Sequence, residues 1–196
     1  DGSSDVCSSD LHSARSEYDG TELDAATLRQ LEAAAMRPGV QCLLLATRLR
    51  VERLLDHFVA ANGAQIGDPA FVAELKEWLR FTPREALQRR DGLFVGTTGN
   101  PALPRWLGAP LFDRFFTAGA ENDKLVRQLR SSAGLAVFVA ERPGPAGWMA
   151  VGRACQRFLL QAAALGLRTA FVNQPVEVAP ERARLAAALG LPGRRP

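Results

Sequence analysis

The sequence has few of the residues that carry most acid–base and metal chemistry in proteins. Its 196 residues include two histidines, three cysteines and one tyrosine. It contains no C-x-x-C, H-E-x-x-H, G-x-x-x-x-G-K-[ST] or G-x-G-x-x-G pattern. These shortages disfavour a metal site and an activated side-chain nucleophile, and His57, next to Phe58 on a predicted helix face, is interpreted as structural. The chemistry is therefore expected to belong to a bound cofactor that the protein holds and orients.

Long apolar runs are also missing, since no stretch approaches the roughly 20 residues that a membrane-spanning helix needs. Cysteines are too few for a disulfide framework, which favours a reducing compartment, and we expect a cytoplasmic protein without a membrane partner. Hydrophobic residues make up 47% of the chain and the net charge is +3. A basic helical nucleic-acid binder is one possibility, but the arginines are scattered along the predicted helices, which argues against it.

Both ends of the chain have unusual sequences. Residues 5–11 correspond to the translation of a common DNA-library adapter, so we interpret residues 1–11 as a non-native scar. Residues 190–196 are rich in glycine, proline and arginine and have no closing helix or strand pattern. The sequence is therefore expected to be part of a longer gene, truncated on both sides.

The most informative pattern is a predicted strand–helix–strand unit over residues 134–178. Residues 134–140 form a continuous apolar run, typical of a strand with both faces covered. Residues 148–165 have an amphipathic helical pattern that should end at a left-handed Gly166. Residues 168–173 are predicted as the next strand of a right-handed crossover, and Asn173 would lie at the strand end, where ligands of α/β sheets tend to bind.

The rest of the chain is predicted to be mainly helical. Asp24, Asp68 and Thr82 are helix-start signals, the last two being followed by proline. A strand is predicted at residues 40–47, and further helices at 51–61, 111–118, 121–130 and 180–189. Residues 91–110 are rich in glycine and proline. A loop this long is either a lid or binding loop, or a surface excursion.

Several motifs, in this order and spacing, resemble the FMN-dependent nitroreductase family. The family opens with Arg-x-Ser-x-Arg, an aromatic residue and a helix, which is similar to His12-Ser13-Ala14-Arg15, Tyr18 and residues 23–36 here. Residues 134–173 resemble the family's later core. The motifs Trp78-Leu79-Arg80-Phe81, Asp91-Gly92-Leu93 and Asn173-Gln174-Pro175-Val176-Glu177 are similar to the Acg-type, large nitroreductase-like branch.

The resemblance implies an α+β, nitroreductase-like fold, with a small mixed β-sheet wrapped by helices and incomplete at its C-terminus. Residues 12–196 would be a partial domain of this kind, with 82–130 an inserted lid-like segment. The resemblance further implies that particular residues bind FMN. His12, Ser13 and Arg15 would hold the phosphate, ribityl chain and pyrimidine edge. Asn173 and Gln174 would lie at the flavin N5/O4 edge, and Trp78 and Arg80 would approach the ring. The family's second phosphate-binding site, an Arg-x-Gly strand, would follow Pro196.

The activity that the resemblance implies is ping-pong electron transfer from NAD(P)H to a small-molecule acceptor such as a nitroaromatic or a quinone. No side chain need act as an acid or base. A second nitroreductase-like unit, either a homodimer partner or the missing half of the same gene, is also implied. The alternative is a non-catalytic flavin-binding protein for storage or sensing, in which residues 91–110 cover the flavin and exclude NAD(P)H.

Overall fold

The computed structural model describes Leu11, residues 13–14, 16–98 and 100–191, and these form an α+β structure. The fold class is therefore confirmed at this level. The helices are α1 (Ala25–Ala35), α2 (Arg48–Glu52), α3 (Leu55–Ile66), α4 (Pro69–Trp78), α5 (Pro83–Arg89), α6 (Arg105–Phe115), α7 (Ala118–Ser131), α8 (Pro145–Ala164), α9 (Gln174–Glu177) and α10 (Ala179–Ala188). The strands are β1 (Val40–Leu45), β2 (Leu79–Arg80), β3 (Leu93–Phe94) and β4 (Leu135–Ala140).

An antiparallel pair of strands, β1 and β4, lies at the centre of the main body. The register joins Val40 to Ala140 and Leu45 to Leu135. Because successive side chains of a strand point to opposite faces, the apolar residues of both strands divide between two cores. One core packs against α1 and α8, and the other against α3, α7 and α10. The prediction that the 134–140 strand is covered on both faces is confirmed.

The ends of α8 and of the earlier helices follow local sequence signals. The side chains of Asp24, Asp68 and Thr82 each accept a hydrogen bond from a backbone N–H in the first turn of the following helix. At the end of α8, Gly166 has a φ of +73°. Its N–H donates to Ala163, and the next N–H, that of Leu167, donates to Ala162. This is a Schellman motif, as the glycine predicts.

Three predicted elements differ in the structure. The helix predicted at 51–61 is divided into α2 and α3, and the break lets Leu54 and Leu55 both enter the core.

The second difference is that the predicted 91–110 loop is shorter, because α6 begins at Arg105 and runs through Pro110. Gly108 is buried there, and a Cβ atom on it would lie 2.6 Å from the Phe81 ring. Close packing against Phe81 therefore requires glycine at this position of α6. Glycine has a low helix propensity, and this is why a loop was expected here.

The third difference concerns residues 168–173, which do not form a strand beside β4 in the described part of the chain. Among the described residues, Thr169 forms a parallel bridge with Ser13. An apolar pattern can predict a strand but cannot identify the segment with which the strand pairs. Here the N-terminal segment supplies the partner of Thr169.

A second, smaller core is built by residues 75–112. Its buried residues are Leu79, Phe81 and Val95, and β2 pairs with β3 in parallel. Helix α7, which the predicted 82–130 lid-like segment includes, packs instead against α3 in the main body. The role of this segment as a lid stays a prediction. No helix among the described residues combines the length and apolar character needed to cross a bilayer.

Two glycines of α8 should respond oppositely to alanine. A Cβ atom on Gly147 would lie 2.1 Å from the Arg142 carbonyl oxygen, whereas a Cβ atom on Gly152 would meet nothing within 4 Å. We expect Gly147→Ala to lower the free energy of unfolding by about 1–3 kcal/mol, the usual cost of overpacking. Gly152→Ala should raise it by about 0.5–1 kcal/mol. Urea denaturation measures both, and equal effects would contradict the close contact at Gly147.

Candidate functional site

A cavity of about 770 Å³ lies between the β1–β4 pair, helices α1 and α8, and two extended segments, and we call it the central cavity. Its walls come from Ala14, from parts of residues 16–31, 44–46, 128–138, 151–162 and 166–176, and from Phe58 and Leu185. Buried apolar side chains such as Leu31, Phe158 and Ala162 form the interior. A largely apolar cavity of this volume with a few polar groups is typical of small-molecule and cofactor sites.

The central cavity brings together two segments that are far apart in the sequence. The Ala14 N–H donates to the Thr169 carbonyl oxygen at 2.8 Å. The Tyr18 N–H donates to Ser131 Oγ at 3.0 Å, which attaches the N-terminal segment to the end of α7. Ala14 and residues of the 16–21 and 166–173 segments therefore line the same cavity, although about 150 positions separate the two segments in the chain.

Of the described residues that the resemblance implies for FMN, Ser13 and Asn173 lie closest to this arrangement. Ser13 pairs with Thr169, and the exposed Asn173 lines the cavity just before α9. Gln174 begins α9 and does not line the cavity, although both of its neighbours do. Its Oε1 atom is buried and accepts no hydrogen bond from the described residues. His12 and Arg15 lie outside the described residues.

Trp78 and Arg80 do not line the central cavity. Trp78 is half exposed at the end of α4. The Arg80 side chain is 1% exposed and its guanidinium has partners within the chain. Nε and Nη2 each lie 2.8 Å from Asp91 Oδ1, and Nη1 donates to the carbonyls of Glu77 and Leu79. The sequence did not predict the pairing of Arg80 with Asp91, because a separate helix, α5, lies between the two residues in the chain.

Comparisons of the chain with protein-family models, with curated proteins and with solved structures gave no match.

The N-terminal segment contributes five of the polar side chains that line the central cavity: Ser16, Glu17, Tyr18, Asp19 and Thr21. The Thr21 N–H donates to Asp19 Oδ1 at 2.9 Å, and this hydrogen bond lowers the pKa of the Asp19 carboxyl. Glu17 forms an exposed ion pair with Arg127. Burial raises the pKa of the Tyr18 hydroxyl, so this side chain is a neutral hydrogen-bonding group at physiological pH. The segment thus presents neutral donors and acceptors beside two carboxylates.

Arg168 is the one basic residue among the described residues that line the central cavity. Sequence reasoning assigned it no role because a single arginine inside a predicted strand carries no motif. Its position directly after the Gly166–Leu167 helix end was the available signal, since a Schellman motif fixes where the chain leaves the helix.

The structural interpretation of His57 agrees with its surroundings. Its Nδ1 atom lies 3.7 Å from Glu181 Oε2 of α10, outside the central cavity. Glu181 is buried and also pairs with Arg184. Within the described residues, no three histidine, cysteine or acidic side chains are placed to hold a metal ion.

The two described cysteines should react slowly with alkylating reagents. Cys42 and Cys155 are free, and burial, with smaller contributions from Glu32 and Cys155, raises the pKa of the Cys42 thiol to about 11. Alkylation requires the thiolate, although a thiolate of higher pKa is intrinsically more nucleophilic. We expect Cys42 in a Cys7→Ser variant to react with iodoacetamide at pH 8 about tenfold more slowly than in urea.

The same thiol should contribute to the pH dependence of stability. Because the pKa of Cys42 is raised on folding, its contribution to the free energy of unfolding is present below pH 9 and is lost as the pH rises towards about 11.

Peptide mapping by mass spectrometry tests the alkylation prediction, because it follows the alkylation of Cys42 and Cys155 separately. Equal rates in the folded and unfolded chains would contradict the burial of Cys42.

Proposed function

We propose that the central cavity binds FMN and that the protein is an FMN-dependent oxidoreductase of the nitroreductase type. It would transfer electrons from NAD(P)H to a small-molecule acceptor such as a nitroaromatic or a quinone, by a ping-pong mechanism. The observation that carries the proposal is the meeting of two segments at one cavity. The motifs at residues 12–18 and 173–177 each resemble the nitroreductase family, and the Ala14–Thr169 hydrogen bond joins the two segments.

The residues of the central cavity fit the chemistry of this cofactor. FMN has an apolar aromatic end, a polar pyrimidine end and a chain of hydroxyl groups that ends in a phosphate. Leu44, Phe138 and Leu159, which are partly buried, offer an apolar surface to the ring. Ser16, Thr21, Gln128, Ser132, Thr169 and Asn173 offer hydrogen-bonding groups.

In this proposal the protein's own residues bind the flavin, orient its ring and shield the ring from water. Apolar walls exclude water from the ring, and hydrogen bonds from the 14–21 segment fix its orientation. Asn173 lies at the cavity wall where the resemblance implies the reactive edge. Bound FMN would supply the hydride and electron transfer, so the near absence of acid–base residues is no obstacle. A second nitroreductase-like unit remains part of the proposal.

The alternative is flavin binding without turnover, with residues 91–110 covering the flavin. Of the described residues in this range, none lines the central cavity, and Leu93, Phe94, Val95 and Ala109 pack instead into the second core around Phe81. Phe171 lines the cavity and is 61% exposed, so the opening reaches solvent. This favours a reductase over a storage protein, since an open cavity leaves room for NAD(P)H.

The first test is the visible absorption spectrum of the purified 196-residue chain, followed by titration with FMN. We expect a flavin band, or quenching of FMN fluorescence on addition of the protein. Oxidation of NADPH with menadione or nitrofurazone as acceptor then separates the two functions. Flavin binding with turnover supports the reductase, and flavin binding without turnover supports the storage protein. A chain that is folded by circular dichroism but fails to take up FMN would contradict both.

A further inference from the structure

The backbone on both sides of Arg168 is held in place. On the N-terminal side, the Gly166–Leu167 Schellman motif ends α8, and Leu167 packs into the core between α1 and α8. On the C-terminal side, Thr169 accepts a hydrogen bond from Ala14. Arg168 is therefore attached to a fixed stretch of backbone at the edge of the central cavity, and its side chain is exposed.

The guanidinium of Arg168 makes no ion pair with any carboxylate of the described residues. The two carboxylates that line the same cavity have other partners. Glu17 lies 3.1 Å from Arg127 Nε, and Asp19 accepts from the Thr21 N–H. An arginine is permanently charged and presents a planar set of donors that matches the oxygens of a phosphate. At the edge of an apolar cavity it provides a binding site for the anionic end of an otherwise apolar ligand.

We propose that Arg168 is a specificity residue that binds the phosphate monoester of FMN and so distinguishes FMN from riboflavin. The inference rests on the proposed function, because it takes FMN as the ligand of the central cavity. It adds a residue that the family resemblance does not imply, on a segment different from the one that contains Ser13. The apolar interior would hold the ring in either flavin, and Arg168 would contact the group that riboflavin lacks.

The test compares the dissociation constants of FMN and riboflavin, measured by flavin fluorescence, for the full chain and three variants. For Arg168→Gln we expect FMN to bind about tenfold to hundredfold more weakly, the usual effect of losing a charged hydrogen bond, while riboflavin affinity changes little. Arg168→Lys should keep part of the preference for FMN over riboflavin, since an ammonium group has the positive charge but not the planar geometry of a guanidinium. Arg157→Gln is the matched control, because Arg157 is exposed on α8 and does not line the cavity.

The outcomes separate this inference from the proposed function. If Arg168→Gln weakens both flavins equally, or weakens neither, the phosphate role is wrong while flavin binding stands. If the unaltered chain binds neither flavin, the proposed function fails and the inference falls with it. A selective loss of FMN affinity in Arg168→Gln, absent from Arg157→Gln and reduced by 0.5 M NaCl, would establish the role.

Discussion

Replacing Asp91 with alanine is expected to lower the free energy of unfolding by about 3 kcal/mol, because it leaves the buried charge of Arg80 without its counter-ion. Arg80 is 1% exposed, and two of its nitrogens lie 2.8 Å from Asp91 Oδ1. This value is at the low end for buried pairs, since the Asp91 side chain is 41% exposed and Arg80 keeps its contacts to two carbonyls. Arg80 belongs to β2 and Asp91 to the turn that follows α5, so the pair connects these two parts of the chain.

The backbone near Asp91 explains why the pair is difficult to replace. Arg90 has a φ of +53° and Gly92 a φ of +70°, so the chain turns sharply on both sides of Asp91. A Cβ atom on Gly92 would lie 2.2 Å from the Trp78 carbonyl oxygen and 2.9 Å from Arg80 Cζ. The turn therefore lies directly against the Arg80 guanidinium, and the Asp91 carboxylate lies within hydrogen-bond distance of it.

Urea denaturation of three variants tests this prediction. Asp113→Ala is the matched control, because Asp113 pairs with Lys76 on the surface and should contribute about 0–1 kcal/mol. In the double variant Arg80→Met, Asp91→Ala, part of the loss should be recovered, since an apolar side chain leaves no unpaired charge. If Asp91→Ala and Asp113→Ala have equal effects, the Arg80–Asp91 pair is not a buried one in solution.

Filling the central cavity is expected to weaken FMN binding at least about hundredfold, which corresponds to about 2.7 kcal/mol. Cys155 is a suitable position, since it is half-buried on α8 and lines the cavity between Val151 and Leu159. Tryptophan at this position would place an indole ring in the volume that the proposed function assigns to the flavin ring. The fold should tolerate it, because the added apolar surface enters an existing cavity of about 770 Å³.

The measurement pairs FMN titration with thermal unfolding for Cys155→Trp. The control is Ala73→Trp, which adds the same ring at an exposed position on α4 that does not line the cavity. We expect an unchanged or raised Tm for Cys155→Trp, together with the loss of FMN affinity. A folded Cys155→Trp variant that binds FMN as tightly as the unaltered chain would show that the flavin, if bound, occupies another site.

The sequence by itself was sufficient for features that depend on neighbouring residues. Helix starts at Asp24, Asp68 and Thr82, and the helix end at Gly166, could be predicted because the capping group and the backbone groups that it satisfies lie within a few positions. The apolar 134–140 strand was predictable for a similar reason, since an uninterrupted apolar run requires cover on both faces. The family resemblance also selected Ser13 and Asn173 as FMN-binding residues. Asn173 lines the central cavity, and Ser13 pairs with Thr169, which also lines it.

Only the tertiary structure decided which segments meet. β4 pairs with β1 in antiparallel orientation, and among the described residues Thr169 pairs with Ser13 of the N-terminal segment. Arg80, assigned to the flavin from its motif, is paired with Asp91 instead, and Arg168 lies at the cavity although no motif marks it. These contacts form between residues separated by one or more helices, where packing against the whole core, rather than local propensity, determines the free energy.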